Sequence, residues 1–185
     1  MSLELFAEFY RRGSAEYKLA MHLHQYAQND PGCGRHDLRW LADDDDTVNH
    51  WFDGDTDTAE QFYTIAATNS SGLFAVWMLD GVARNKAPFV FLGAEGDAHV
   101  IAANFAEFVS LLAVPYDDLE FAFSNQVFLP DEPDASFLRF QEWLRETCGI
   151  APAEDSAALV EAAQSQHPSL QTFVEEWADT WFPKQ

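Results

Sequence analysis

The chain has 185 residues, and 48% of them are apolar, including 16 Phe and 6 Trp. That is enough apolar material for one folded domain with a sizeable core, and it excludes disorder over most of the length. Ten Lys and Arg against 31 Asp and Glu leave a formal charge of −21. Such a field repels phosphate backbones and anionic lipid surfaces, so neither nucleic acid nor a membrane is an expected partner. It keeps the chain soluble and steers basic proteins toward it.

Two cysteines, Cys33 and Cys148, lie far apart with no CxxC pattern, which reads as two free thiols in a reducing compartment. The first residues, MSLELFAEFYRR, carry no basic region ahead of their apolar residues, and Glu4 and Glu8 interrupt the apolar stretch. They do not read as a signal peptide, and no apolar run reaches the length of a membrane span. A cytoplasmic location is the expectation.

Apolar residues at Leu3, Leu5, Phe6, Phe9 and Tyr10 predict an amphipathic helix over 3–12, capped by Ser2 and stopped at Gly13. Ser14 is placed to cap a second helix with Tyr17, Met21 and Leu23 inward, ended by the turn cluster Asn29–Gly32. Residues 43–58 then read as a long acidic loop. Asp43, Asp44, Asp45 and Asp46 run together, Asp53, Asp55 and Asp57 alternate, and Trp51 and Phe52 sit between. No Lys or Arg occurs between Arg39 and Arg84, so the deepest negative potential is expected here.

The middle of the chain reads as a meander of about four antiparallel strands: Phe62–Thr68, Leu73–Leu79, Pro88–Leu92 and His99–Ala103. Turns at Asn69-Ser70-Ser71-Gly72, Asp80-Gly81 and Glu95-Gly96-Asp97 separate them. Asn104 with Glu107 three residues on forms a capping box for a helix bearing Phe105, Phe108, Leu111 and Leu112, which ends before Pro115. Helical spacing continues through Phe137, Phe140, Leu144 and Cys148 to a stop at Gly149, then weakly over Asp155–Gln164. A last helix has Pro168 at its first position and Leu170, Phe173, Val174, Trp177 and Trp181 along one face. There is no internal repeat and no linker, so the expectation is a single α+β domain over 1–185, a mostly antiparallel sheet flanked by N- and C-terminal helices.

No catalytic or cofactor motif stands out. His22 and His24 are two apart on a helix and cannot share a metal, and the other four histidines have no ligand spacing. Asp53, Asp55 and Asp57 match the opening of a calcium loop, but Thr58 and Thr64 stand where Gly and a bidentate Glu are required. There is no GxSxG, GxGxxG or GxxxxGK[ST], and Gly93–Gly96 lacks the following helix that a phosphate site needs. No metal ligand, cofactor or catalytic residue is therefore assigned. The candidate partner-binding residues are Asp43, Asp44, Asp45, Asp46, Trp51, Asp53, Asp55, Asp57 and Trp181, with Phe182 beside the last.

The stretch from about 60 to 115 has a recognisable shape. "AEQFYTIAATNSSGLFAVWML" is a strand, a glycine turn and an apolar strand, and "APFVFLGAEGDAHVIAANFAEFVSLL" is a Pro-led strand, a turn, a strand and a helix. Pro88, Phe91, Gly93 and Gly96, then Asn104, Phe105, Glu107, Phe108, Leu111 and Leu112, carry a resemblance to the SMI1/KNR4 (SUKH) superfamily. After the first helix the family usually shows a Trp-Leu-Pro or similar element, whereas here Trp40-Leu41 is followed by Ala42 and the aspartate run. The resemblance implies an α+β fold and, in bacteria, an immunity-type protein that binds and neutralises a toxin, often a nuclease, without enzymatic activity. A scaffold for a resident cellular partner and a metal-dependent hydrolase are the two other readings of the sequence.

Overall fold

A computed structural model describes residues 3–41, 46–123, 129 and 132–183. The chain is α+β: a five-stranded antiparallel sheet in the order β1-β2-β3-β4-β5, with helices on both faces. The strands are β1 (Leu38–Trp40), β2 (Phe62–Thr68), β3 (Leu73–Trp77), β4 (Phe89–Leu92) and β5 (Ala98–Ala102). Four follow the expected meander. β1 is an addition, pairing Leu38 with Thr68 and Trp40 with Ala66, and it is too short to show strand periodicity in the sequence.

Both faces of the sheet are buried, and β3 and β4 are inaccessible along their whole length. Alternate residues therefore enter two different cores. Phe74, Val76, Phe89 and Phe91 face one core, packed by α1 (Leu3–Glu8), α2 (Ala15–Ala27), α5 (Phe105–Leu112), α6 (Leu119–Phe123) and α7 (Ala135–Trp143). Leu73, Ala75, Trp77, Val90 and Leu92 face the other. That second core is closed by α3 (Thr47–Trp51), α4 (Thr56–Ala59), α8 (Ser156–Gln166) and α9 (Leu170–Trp181). Each large side chain so buried contributes about 1.5–3 kcal/mol, and the stacked rings of Phe89, Phe105 and Phe108 add to it.

The helix starts at Ser14 and Asn104 follow the sequence, while the expected Ser2 cap lies outside the described residues. The Tyr17 N–H donates to Ser14 Oγ (3.1 Å), and the Glu107 N–H donates to Asn104 Oδ1 (3.0 Å). Helix ends do not. α1 stops at Glu8, not residue 12, and Phe9 and Tyr10 stay buried in the turn that follows. The predicted helix up to Cys148 is α-helical only to Trp143 and closes in a wider π turn over Leu144–Cys148 before Gly149 (φ +68). Pro168 lies outside α9, whose cap is Ser169. The acidic stretch is not one long loop. Asp55 caps α4, α3 precedes it, and Phe52 between them is fully buried, so the aromatic pair anchors the segment to the second core.

The turn at 69–72 shows why its glycine is needed. The positive φ falls on Ser71 (+77), while a Cβ on Gly72 would lie 2.1 Å from Glu120 Oε2. The buried Glu120 carboxylate accepts from the Gly72 N–H (3.1 Å), the Thr68 hydroxyl and the Ala94 N–H (2.9 Å), tying together two turns at one end of the sheet.

On the first face a buried ion pair closes the fold. Arg35 Nε donates to Asp37 Oδ1 (2.9 Å) and Arg35 Nη2 to Asp37 Oδ2 (3.1 Å). The same guanidinium donates to the Val114 and Tyr116 carbonyls, while Asp37 accepts the Leu119 N–H (2.7 Å). Every polar atom of the pair thus has work in joining residues 35–37 to the segment between α5 and α6. Removing one partner from such a pair costs about 3–5 kcal/mol, because the other is left buried and uncompensated. Urea unfolding of Asp37→Ala is expected to show a loss of that size, and the double variant Arg35→Met/Asp37→Leu a much smaller one.

Candidate functional site

Of the nine sequence candidates, the described ones fall on or beside three short elements, α3, α4 and the end of α9. Asp43, Asp44 and Asp45 lie outside the described residues. Asp46 is exposed just ahead of α3, and its main-chain oxygen lies 2.8 Å from His50 Nδ1. Trp51 is half-buried, donating its indole N–H to the Gly93 carbonyl (2.9 Å) and packing edge-on against Phe52. It fastens the acidic segment to the β4–β5 turn and offers little free surface.

The structure brings Asp55 and the C-terminal aromatics together across 122 residues of chain. Asp55 Oδ2 accepts the indole N–H of Trp177 at 2.9 Å. Its carboxylate also caps α4, accepting from the Thr58 hydroxyl (2.7 Å) and the Thr58 N–H (3.3 Å). These bonds hold the Asp55 carboxyl below its ordinary range: the Thr58 hydroxyl contributes most, desolvation opposes it, and the Trp177 indole and the Thr58 and Asp57 N–H groups add smaller lowering effects. Trp177 packs edge-on against the buried Phe52 and stacks at 20° on Trp181, with Phe182 edge-on beside it.

Trp181 and Phe182 are 43% and 54% exposed. Asp53 and Asp57, both exposed, flank in sequence the Asp55 carboxylate that holds Trp177. The result is an aromatic ladder whose base is core and whose top is open, with the Asp55 carboxylate at the side of Trp177. Such a surface offers apolar area and ring faces to a partner carrying Arg or Lys. Sequence reading singled out both halves but not their junction, whose local signal is the cap pattern Asp55-x-x-Thr58.

The thiols are placed against nucleophilic work. Cys33 is buried, which pushes its thiol up to about 12. Cys148 sits in the π turn with its Sγ 3.8 Å from His22 Nδ1, and burial pushes it up to about 11. Both are protonated at neutral pH. Among the described residues, no group of three or more His, Cys, Asp or Glu is arranged to hold a metal ion, and no helix is long and apolar enough to cross a membrane.

Comparison with protein families, with curated proteins and with solved structures found no match.

Two measurements check these assignments. The Asp55–Trp177 bond involves a depressed carboxylate, so its contribution is present above the ordinary carboxylate pKa of about 3.9 and is lost as pH falls through the lower folded value. Acid titration of tryptophan fluorescence is therefore expected to show a step below that pH in the parent chain and none in Asp55→Ala. Alkylation by iodoacetamide at pH 8 is expected to run about a hundredfold slower at Cys148 than at a free cysteine, rising as the pH approaches 11.

Proposed function

We propose that this chain is a non-catalytic protein-binding domain of immunity type, which neutralises a basic toxin by covering it. The observation that carries the reading is the C-terminal aromatic surface, in which Asp55 holds Trp177 in place and Trp181 and Phe182 stay open. Aromatic anchors held rigid by their own core lose little side-chain entropy on docking, which is what a tight interface requires. A net charge of −21 steers a basic partner to that surface and mimics the charge of a nucleic-acid substrate. The SMI1/KNR4 resemblance over about 60–115 supports the same reading, and the raised thiol pKa values give no support to a cysteine nucleophile.

The test is capture by immobilised chain, at low and high salt, from cells that make it. A basic protein that is toxic when expressed alone and harmless when co-expressed with this chain is the expected product. Against that protein, Trp181→Ala is expected to speed dissociation about fivefold to thirtyfold, equivalent to about 1–2 kcal/mol. The pair Asp53→Asn/Asp57→Asn is expected to slow association and flatten its salt dependence. Unchanged rates in both variants would remove this surface from the function. A non-toxic resident partner would leave a scaffold role in its place.

A further inference from the structure

Resting on that reading, we infer that the partner inserts an arginine or lysine side chain into a second, separate feature: the hollow between the end of β3 and the N-terminal half of α9. This hollow has a volume of about 900 Å³. Its apolar walls come from Trp77, Leu79 and Phe173, the last half-exposed, with Met78 exposed at the edge. Asp80 and Glu176 stand on the rim, both exposed, and no Lys or Arg among the described residues lines it. His167, the remaining ionisable group there, is shifted below its ordinary pKa by burial, against a smaller opposing effect of Glu107, so it adds no positive charge at neutral pH.

The chemistry selects the occupant. An acidic residue would meet two carboxylates inside a strongly negative field. A purely apolar side chain would fill the walls but leave both rim charges unused. A long basic side chain satisfies both parts: its methylene stem lies along Leu79 and Phe173, and its cation reaches the rim carboxylates.

The neighbouring hollow of about 720 Å³ is different. Lys86 lines it together with Glu16 and Glu107, and Glu107 already accepts from the Asn104 side chain and the Ala103 N–H. It lacks the single sign of charge that makes the first hollow selective.

Position supports the assignment. α9 presents Phe173 and Glu176 to the hollow, and one turn further along it presents Trp177 and Trp181 to the aromatic surface. One partner face lying along α9 covers both.

The experiment needs no natural partner. Acetyl-Gly-Arg-Gly-amide is titrated into uniformly ¹⁵N-labelled protein, with the isosteric neutral peptide acetyl-Gly-citrulline-Gly-amide as control. The reporters are the backbone amides of Leu79, Asp80 and Phe173 and the indole N–H of Trp77, which has no acceptor among the described residues. The arginine peptide is expected to shift these signals and the citrulline peptide to leave them in place. In Asp80→Asn/Glu176→Gln the fitted dissociation constant is expected to rise about tenfold.

Equal shifts with both peptides, shifts confined to Trp181 and the acidic segment, or no shift at all would each overturn the inference. Failure to capture a basic partner would instead overturn the binding reading, and the peptide titration separates the two.

Discussion

The sheet is covered on both faces, and every other part of the structure answers to that. β3 and β4 expose nothing, so their side chains alternate into two cores that must each be closed by helices. The chain draws those helices from both ends. α1 and α2 with α5 to α7 close one face, while the acidic α3–α4 segment with α8 and α9 closes the other. An acidic stretch that would otherwise be solvated loop becomes structural because Phe52 is needed inside.

The open β5 edge is handled with side chains. On β5 the Ala98 N–H donates to Gln171 Oε1 (3.1 Å) and the Val100 carbonyl accepts from Gln164 Nε2 (3.2 Å). Two glutamines from α8 and α9 thus occupy groups that an added strand would use, which directs recognition away from this edge. The same two helices turn their remaining surface outward. α9 serves at once as a wall of the second core, a cover for β5 and the carrier of the exposed aromatics.

That triple use gives the candidate surface its rigidity. Trp177 is held from below by Phe52 and from the side by the Asp55 carboxylate, so Trp181 stacks on a fixed ring. Asp55 serves more than steering, since it is both helix cap and indole acceptor. Charge and packing are coupled here, and a change at Asp55 disturbs the aromatic ladder as well as the field.

Local rules carried a large part of the fold. The α+β class, four of the five strands and the caps at Ser14 and Asn104 follow from periodicity and capping chemistry, which act within a few residues. The net charge was also legible. Tertiary structure alone decided the rest. Packing made Phe52 core and drew two short helices from the aspartate-rich stretch. The three-residue β1 exists only because β2 offers a free edge. The Arg35–Asp37 hub joins residues about 80 apart, and the Asp55–Trp177 bond joins residues 122 apart. No pattern along the sequence can announce such contacts, because they form only when burial leaves a polar group with one available partner.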